Sequence, residues 1–166
     1  MNIFLGLGSN IADRQFYLNS ACNELETEGI KILKKSPVYE TPAMYIQHGP
    51  DFLNMVIEVD SPFGPLALLD TIKSIEIKLG RMTRTSRFKS REIDIDLLAM
   101  NHYVFNSVKL NIPHKRIIER KFVLQPWADI APDFIIPGFK KNVITLLLET
   151  SDTSTLVKIE DLETVF

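Results

Sequence analysis

The chain has 166 residues, 45% of them apolar, with 19 basic and 21 acidic side chains, a size and composition that suit one compact domain over residues 1–166. A formal net charge of -2 gives no global argument for nucleic acid or an anionic membrane as partner. No run approaches the roughly 18 apolar residues of a membrane helix, Cys22 is alone and closes no internal disulfide, and the turn residues after Leu7 leave no export signal, so a cytoplasmic location is expected.

Asn2 to Leu7 reads as a strand, and Gly8-Ser9-Asn10 as the turn into a helix from about Asp13 to Glu28, ended by Gly29. On that helix Leu18, Ala21, Cys22 and Leu25 recur at helical spacing, which makes Cys22 a small core residue rather than a nucleophile. A strand over Ile30 to Tyr39 follows. The loop from Thr41 to Asp51, with Pro42, Gly49 and Pro50, is expected to be mobile in the free protein.

Phe52 to Val59 alternates strictly, with Leu53, Met55, Ile57 and Val59 on one face and Phe52, Asn54, Val56 and Glu58 on the other. Leu66, Leu69, Ile72, Ile75 and Leu79 recur at spacings of three and four, which predicts a second helix that Gly80 can close. Arg81 to Arg91 carries five basic residues and no acidic one, a second segment expected to be mobile until anions neutralise it. Glu92 to Met100 alternates again as a strand.

The order β-α-β-β-α-β is that of a ferredoxin-like α+β fold. Two helices then cover one face of an antiparallel sheet and leave the other face free for a site. From Asn101 a C-terminal extension is expected, with strand fragments near Val104 to Ile112 and a short helix near Asn142 to Glu149. Ser151 to Phe166 shows no clear pattern.

Asp94 and Asp96 are separated by one residue, so on a strand they share a face, their Cα atoms about 6–7 Å apart. Two such carboxylates repel unless a cation or basic side chains neutralise them. A magnesium ion would do so, and a solvated strand face is an equally good reading of the pair alone. Arg81, Arg84, Arg87, Lys89 and Arg91 immediately precede it, and guanidinium groups beside paired carboxylates suit phosphoryl transfer. The chain has no G-x-x-x-x-G-K-[ST] loop, which excludes a P-loop kinase. An RNA-binding sheet face and a metal-dependent phosphatase or nuclease are the rival classes.

Gly8-Ser9-Asn10, Tyr39-Glu40-Thr41-Pro42, Phe52-Leu53-Asn54, Ile75-Glu76 with Gly80-Arg81, Arg91-x-x-Asp94-x-Asp96, and Pro113-His114 with Arg120-x-Phe122-Val123-Leu124 occur in the order seen in the pterin pyrophosphokinases. The chain resembles that family over about residues 6–137. It departs where the family often has Arg-x-Arg, here Arg81-Met82-Thr83, and tryptophan-glycine-proline, here Phe88-Lys89-Ser90.

The resemblance implies transfer of pyrophosphate from ATP to the hydroxymethyl group of 6-hydroxymethyl-7,8-dihydropterin, releasing AMP, as a step of folate biosynthesis whose next enzyme receives the product. It implies ATP as co-substrate and two Mg²⁺ ions on Asp94 and Asp96. Arg81, Arg91, His114 and Arg120 would contact phosphate, and Arg81 and Arg91 would act in catalysis with the two aspartates. Glu76 would lie near the nucleotide, although a helix-surface carboxylate reads equally well there. Phe52 and Phe122 would stack on the pterin, Asn54 would read its edge, and Thr41, Pro42 and Met44 would wall the pocket.

Overall fold

The computed structural model describes residues 2–11, 13–41, 51–80 and 92–159. In chain order, β1 (Ile3–Ser9), α1 (Arg14–Thr27), β2 (Lys31–Lys35), β3 (Val38–Thr41), β4 (Phe52–Asp60), α2 (Pro65–Lys78) and β5 (Asp94–Met100) form the expected β-α-β-β-α-β core. The hairpin β6 (Phe105–Asn106) and β7 (Asn111–Ile112) leads to a 3-10 turn at Ile117–Glu119 and then to α3 (Lys121–Ile130). A second hairpin, β8 (Ile135–Ile136) and β9 (Lys141–Asn142), is followed by α4 (Val143–Glu149) and β10 (Val157–Ile159).

Local chemistry sets these boundaries. The Asp13 carboxylate accepts the Phe16 N–H at 3.0 Å and caps α1, an interaction typically worth about 1 kcal/mol. Pro65 opens α2, where its missing N–H costs nothing, and Gly80, at φ +102°, takes the left-handed conformation that ends it. The single strand expected over Ile30 to Tyr39 is broken at Ser36-Pro37, because proline cannot donate to a ladder. Ser36 keeps the two halves in line: its N–H donates to the Val56 carbonyl and its hydroxyl accepts the Val56 N–H, both at 2.9 Å.

β1 is central and runs antiparallel to β4 and β5. The sheet order is β10-β3-β4-β1-β5, with β2 also against β4, the strand order of a ferredoxin-like core with one strand added. Ile3, Leu5 and Leu7 join Leu53, Met55, Ile57 and Val59, and Ile93, Ile95 and Leu97, under α1 and α2. On the helices the buried positions are Leu18, Ala21, Cys22 and Leu25, and Leu68, Ile72 and Ile75. Leu66, read as part of the buried stripe, is exposed, and Leu68 takes the inward place.

The opposite face differs from the sequence expectation. It is not left free: α3 and α4 cover one end of it, where Phe4, Val56, Leu98 and Ala99 pack against Val123, Leu124 and Trp127. The Phe4 ring lies 5.2 Å from Trp127 and 4.8 Å from Phe134, both tilted, a favourable aromatic geometry. The polar residues are left at the other end.

Candidate active site

Across the end that no described helix covers, the register brings residues from three strands into line. Asn54 of β4 lies opposite Gly8 of β1, and Gly8 lies opposite Asp94 of β5. In the next row Val56, Gly6 and Asp96 are aligned in the same way. Gly8 therefore floors a trough with an amide on one bank and the carboxylates on the other, whereas over Gly6 the Leu98 side chain lies within contact distance of where a Cβ would stand. At neighbouring-strand spacing the banks are about 10 Å apart. A Cβ on Gly8 would stand 2.8 Å from Asn54 Oδ1, so only glycine lets that amide lie across the strand.

On the amide bank, Asn54 and Thr41 are both buried, and Asn54 Nδ2 donates to Thr41 Oγ1 at 2.8 Å. Phe52, half-buried, pairs with Thr41 at the last rung of the β3–β4 ladder. Arg14, which sequence reasoning passed over, fastens the point where these strands part: its guanidinium donates to the Asp51 carbonyl and pairs with Glu40, each at 2.9 Å. A cation in the first turn of a helix opposes the macrodipole, so both contacts offset that cost. Tyr39, next along β3, donates its hydroxyl to Asp129 of α3. Burial first, then this carboxylate, holds the phenol well above its usual range.

On the carboxylate bank, Asp94 and Asp96 are half-buried on the face that Ile93, Ile95 and Leu97 leave. Their strand is braced on three sides. The Ser9 hydroxyl donates to the Glu92 carbonyl just before the strand begins. Glu76 is only 1% exposed, rather than lying on the helix surface, and its carboxylate accepts the N–H of Ile95, between the two aspartates, at 2.8 Å.

The third brace depends on a bulge. Phe4 pairs with Ala99 but Leu5 with Leu97, so Leu98 is an extra residue, and its carbonyl accepts the His114 N–H at 3.1 Å. The bulge thus brings His114 to the edge strand close to Asp96, as bulges beside functional sites commonly re-aim groups. His114 follows the cis Ile112–Pro113 bond. Its Nδ1 accepts the Ile117 N–H at 3.3 Å, which leaves Nε2–H to donate. Burial, then Arg120 and Arg116, push its pKa below the usual histidine range.

Arg120 and Phe122 flank the first residue of α3, with the guanidinium carbon 5.8 Å from the ring centroid. Phe122 packs at the border of the Trp127 cluster. Pro42, Met44, Arg81 and Arg91 lie outside the described residues, as do Arg84, Arg87 and Lys89 and both segments expected to be mobile, apart from Thr41 and Asp51. Among the described residues no helix is long and apolar enough to cross a membrane.

Comparison with known proteins places this geometry in a lineage. A sequence model of the family described as 7,8-dihydro-6-hydroxymethylpterin-pyrophosphokinase (HPPK) matches residues 4–132. The 2-amino-4-hydroxy-6-hydroxymethyldihydropteridine pyrophosphokinase of Methylorubrum extorquens is 41% identical over 136 residues, 81% of this chain and 85% of that protein. The protein of the same name from Aquifex aeolicus is 37% identical over 84% of this chain and 86% of its own length. The folic acid synthesis protein fol1 of Pneumocystis carinii is 37% identical over 81% of this chain, which spans only 18% of it.

A crystal structure of Plasmodium falciparum HPPK-DHPS superposes with a TM-score of 0.72 over 89% of this chain and 45% of that one, at 16% identity, and shares the fold. With a family match over most of its length and bacterial relatives of nearly equal extent, the chain belongs to the 7,8-dihydro-6-hydroxymethylpterin-pyrophosphokinase family.

Proposed function

We propose that the trough is where this chain transfers pyrophosphate from ATP to 6-hydroxymethyl-7,8-dihydropterin, a step of folate biosynthesis. The observation that carries the reading is the register Asn54–Gly8–Asp94: a group that recognises a heteroaromatic edge and a group that holds phosphate charge face each other over a strand with no side chain between them. The pterin lies on the amide bank against Asn54, Thr41, Phe52 and Phe122, with Pro42 and Met44 completing the wall. The triphosphate lies on the carboxylate bank, with His114 Nε2–H, Arg120, Arg81 and Arg91 donating to its oxygens. Glu76 acts there through the strand it braces.

Asp94 and Asp96 fit a hard divalent ion. They offer two carboxylates on one face of β5, both half-buried. Such an ion takes its remaining ligands from water and phosphate. Two Mg²⁺ ions held there by Asp94 and Asp96 would supply neutralisation of the phosphate charge.

The hydroxymethyl oxygen attacks the β-phosphorus, the bond from that phosphorus to the α-phosphate oxygen breaks, AMP leaves, and the hydroxyl proton passes to water. The protein's part is positioning and charge stabilisation. The product is a diphosphate ester for the next enzyme of the pathway. Incubation with ATP, Mg²⁺ and the pterin is expected to yield AMP and pterin diphosphate in equal amounts. Inorganic phosphate in place of AMP would point instead to a phosphatase, and salt-sensitive nucleic-acid binding to an RNA module.

A further inference from the structure

The segment 150–159 lies beyond the family match, which ends at residue 132, yet it is tied both to the start of α3 and to β3 of the amide bank. Its first anchor is the start of α3. That helix has no capping side chain from its own N-cap residue, Arg120. Asp152 supplies one from 31 residues away: its Oδ2 accepts the Lys121 N–H at 2.9 Å, and its Oδ1 accepts the Ser154 N–H at the same distance.

Lys121 answers with its ammonium, which donates to the Ser154 carbonyl at 3.2 Å. Just upstream, the Thr150 hydroxyl donates to the Glu119 carbonyl at 2.8 Å. For Asp152, burial alone would raise the carboxyl. Hydrogen bonds from the Ser154 hydroxyl and N–H and from the Lys121 N–H outweigh it and hold the group below the usual carboxylate range.

The second anchor is β3. β10 pairs antiparallel with it, Val157 opposite Glu40 and Ile159 opposite Val38. Glu40 is the residue that Arg14 grips, and Thr41 beside it holds Asn54. The chain therefore runs as a strap from the helix that carries Arg120 and Phe122 to the strand that carries Thr41.

We propose that this strap belongs to the substrate-binding machinery and that Asp152 is a positioning residue, which caps α3 from outside and so fixes the direction in which Phe122 faces the pterin. The inference rests on the function proposed above. Its physical basis is that the first N–H groups of a helix have no partner within it, so an uncapped first turn frays. Phe122 is the second residue of that turn and frays with it, whereas Arg120 stands outside the helix as its N-cap residue, its N–H held by the Ile117 carbonyl at 3.1 Å. Asp94, Asp96 and His114 sit on β5 and its edge and do not lean on this turn.

Steady-state kinetics of the full chain, with ATP and pterin varied separately, provide the test. Asp152→Ala is expected to raise the pterin KM about tenfold, as loss of orientation commonly does, with the ATP KM changed much less. Asp152→Asn keeps one acceptor oxygen, enough to cap the Lys121 N–H while the bond from the Ser154 N–H is lost, and is expected to restore part of the affinity. Hydrogen exchange at Lys121 to Leu124 should quicken in the alanine variant alone.

A purely structural role would lower the melting temperature and the active fraction and leave both KM values alone. That outcome, or an equal rise in both, overturns the inference and leaves the proposed function standing. Should Asp152→Ala not fold, Asp152→Glu, which displaces the carboxylate by one methylene, carries the same reading. A wild-type protein that forms no AMP overturns the function, and the inference with it.

Discussion

The two faces of the sheet are built from the same strands on opposite principles. Under α1 and α2, the inward positions of β1, β4 and β5 are apolar but for Ser9 at the end of β1, and they are buried. On the other face the same strands change character halfway along. Phe4, Val56 and Leu98 meet an aromatic cluster at one end, while Gly8, Asn54 and Asp94 line up across the strands at the other. One face stores stability and the other gives some of it up. Two carboxylates and two glycines in mid-strand each weaken a sheet, and the continuous core behind them makes that tolerable.

Paired substitutions should separate the faces. Asp94→Ala is expected to cut AMP formation on the order of a thousandfold, since the metal proposed there would supply several kcal/mol of charge stabilisation, with a melting temperature unchanged or raised. Ile72→Ala, in α2 and fully buried, should do the converse: a loss of about 2–5 kcal/mol in denaturant unfolding, with KM values unaltered in the folded protein. If Asp94→Ala unfolds the chain while Ile72→Ala spares it, the division between the faces is wrong.

A subtler substitution tests the trough floor. In Gly8→Ala the new methyl would sit 2.8 Å from Asn54 Oδ1 and must turn that amide away from Thr41. The lost hydrogen bond is worth about 1 kcal/mol. A several-fold rise in pterin KM with little change in ATP KM is expected by separate titration, and equal rises would mean that the two banks are not independent.

The smallest effect concerns pH. His114 is held below its ordinary value, first by burial and then by Arg120 and Arg116. The unfolded chain, with a histidine near 6.5, therefore takes up the proton first. The stability contributed by neutral His114 is fully present above about pH 6.5 and is lost as pH falls through the lower folded value. Melting curves of wild type and His114→Gln between pH 8 and 5 should converge or cross below about 6.5; parallel curves would contradict the shift.

Much of this was legible beforehand where the pattern was periodic. The alternation in Phe52 to Val59 and Glu92 to Met100 placed Asn54 and the aspartates on one face, and the spacing of Ile72 and Ile75 placed α2. α3 escaped notice because Pro126 stands inside it and proline reads as a break. The spacing of Val123, Leu124, Trp127 and Ala128 was the signal that could have revealed it. The bulge at Leu98, the Arg14 fastening and the Asp152 cap join residues far apart in the chain, and no local pattern encodes such contacts. Sequence resemblance singled out Glu76 and His114, but their attachment to the two sides of Leu97 became visible only in three dimensions.

That attachment has a consequence for life in a crowded solution. β5 ends the sheet, and an end strand with free N–H and carbonyl groups invites a strand from another molecule to add to it and start an aggregate. Here the Ile95 N–H is already taken by Glu76 and the Leu98 carbonyl by His114. A buried carboxylate and a folded-over turn thus bar the strand that carries Asp94 and Asp96 from serving as a template for self-association.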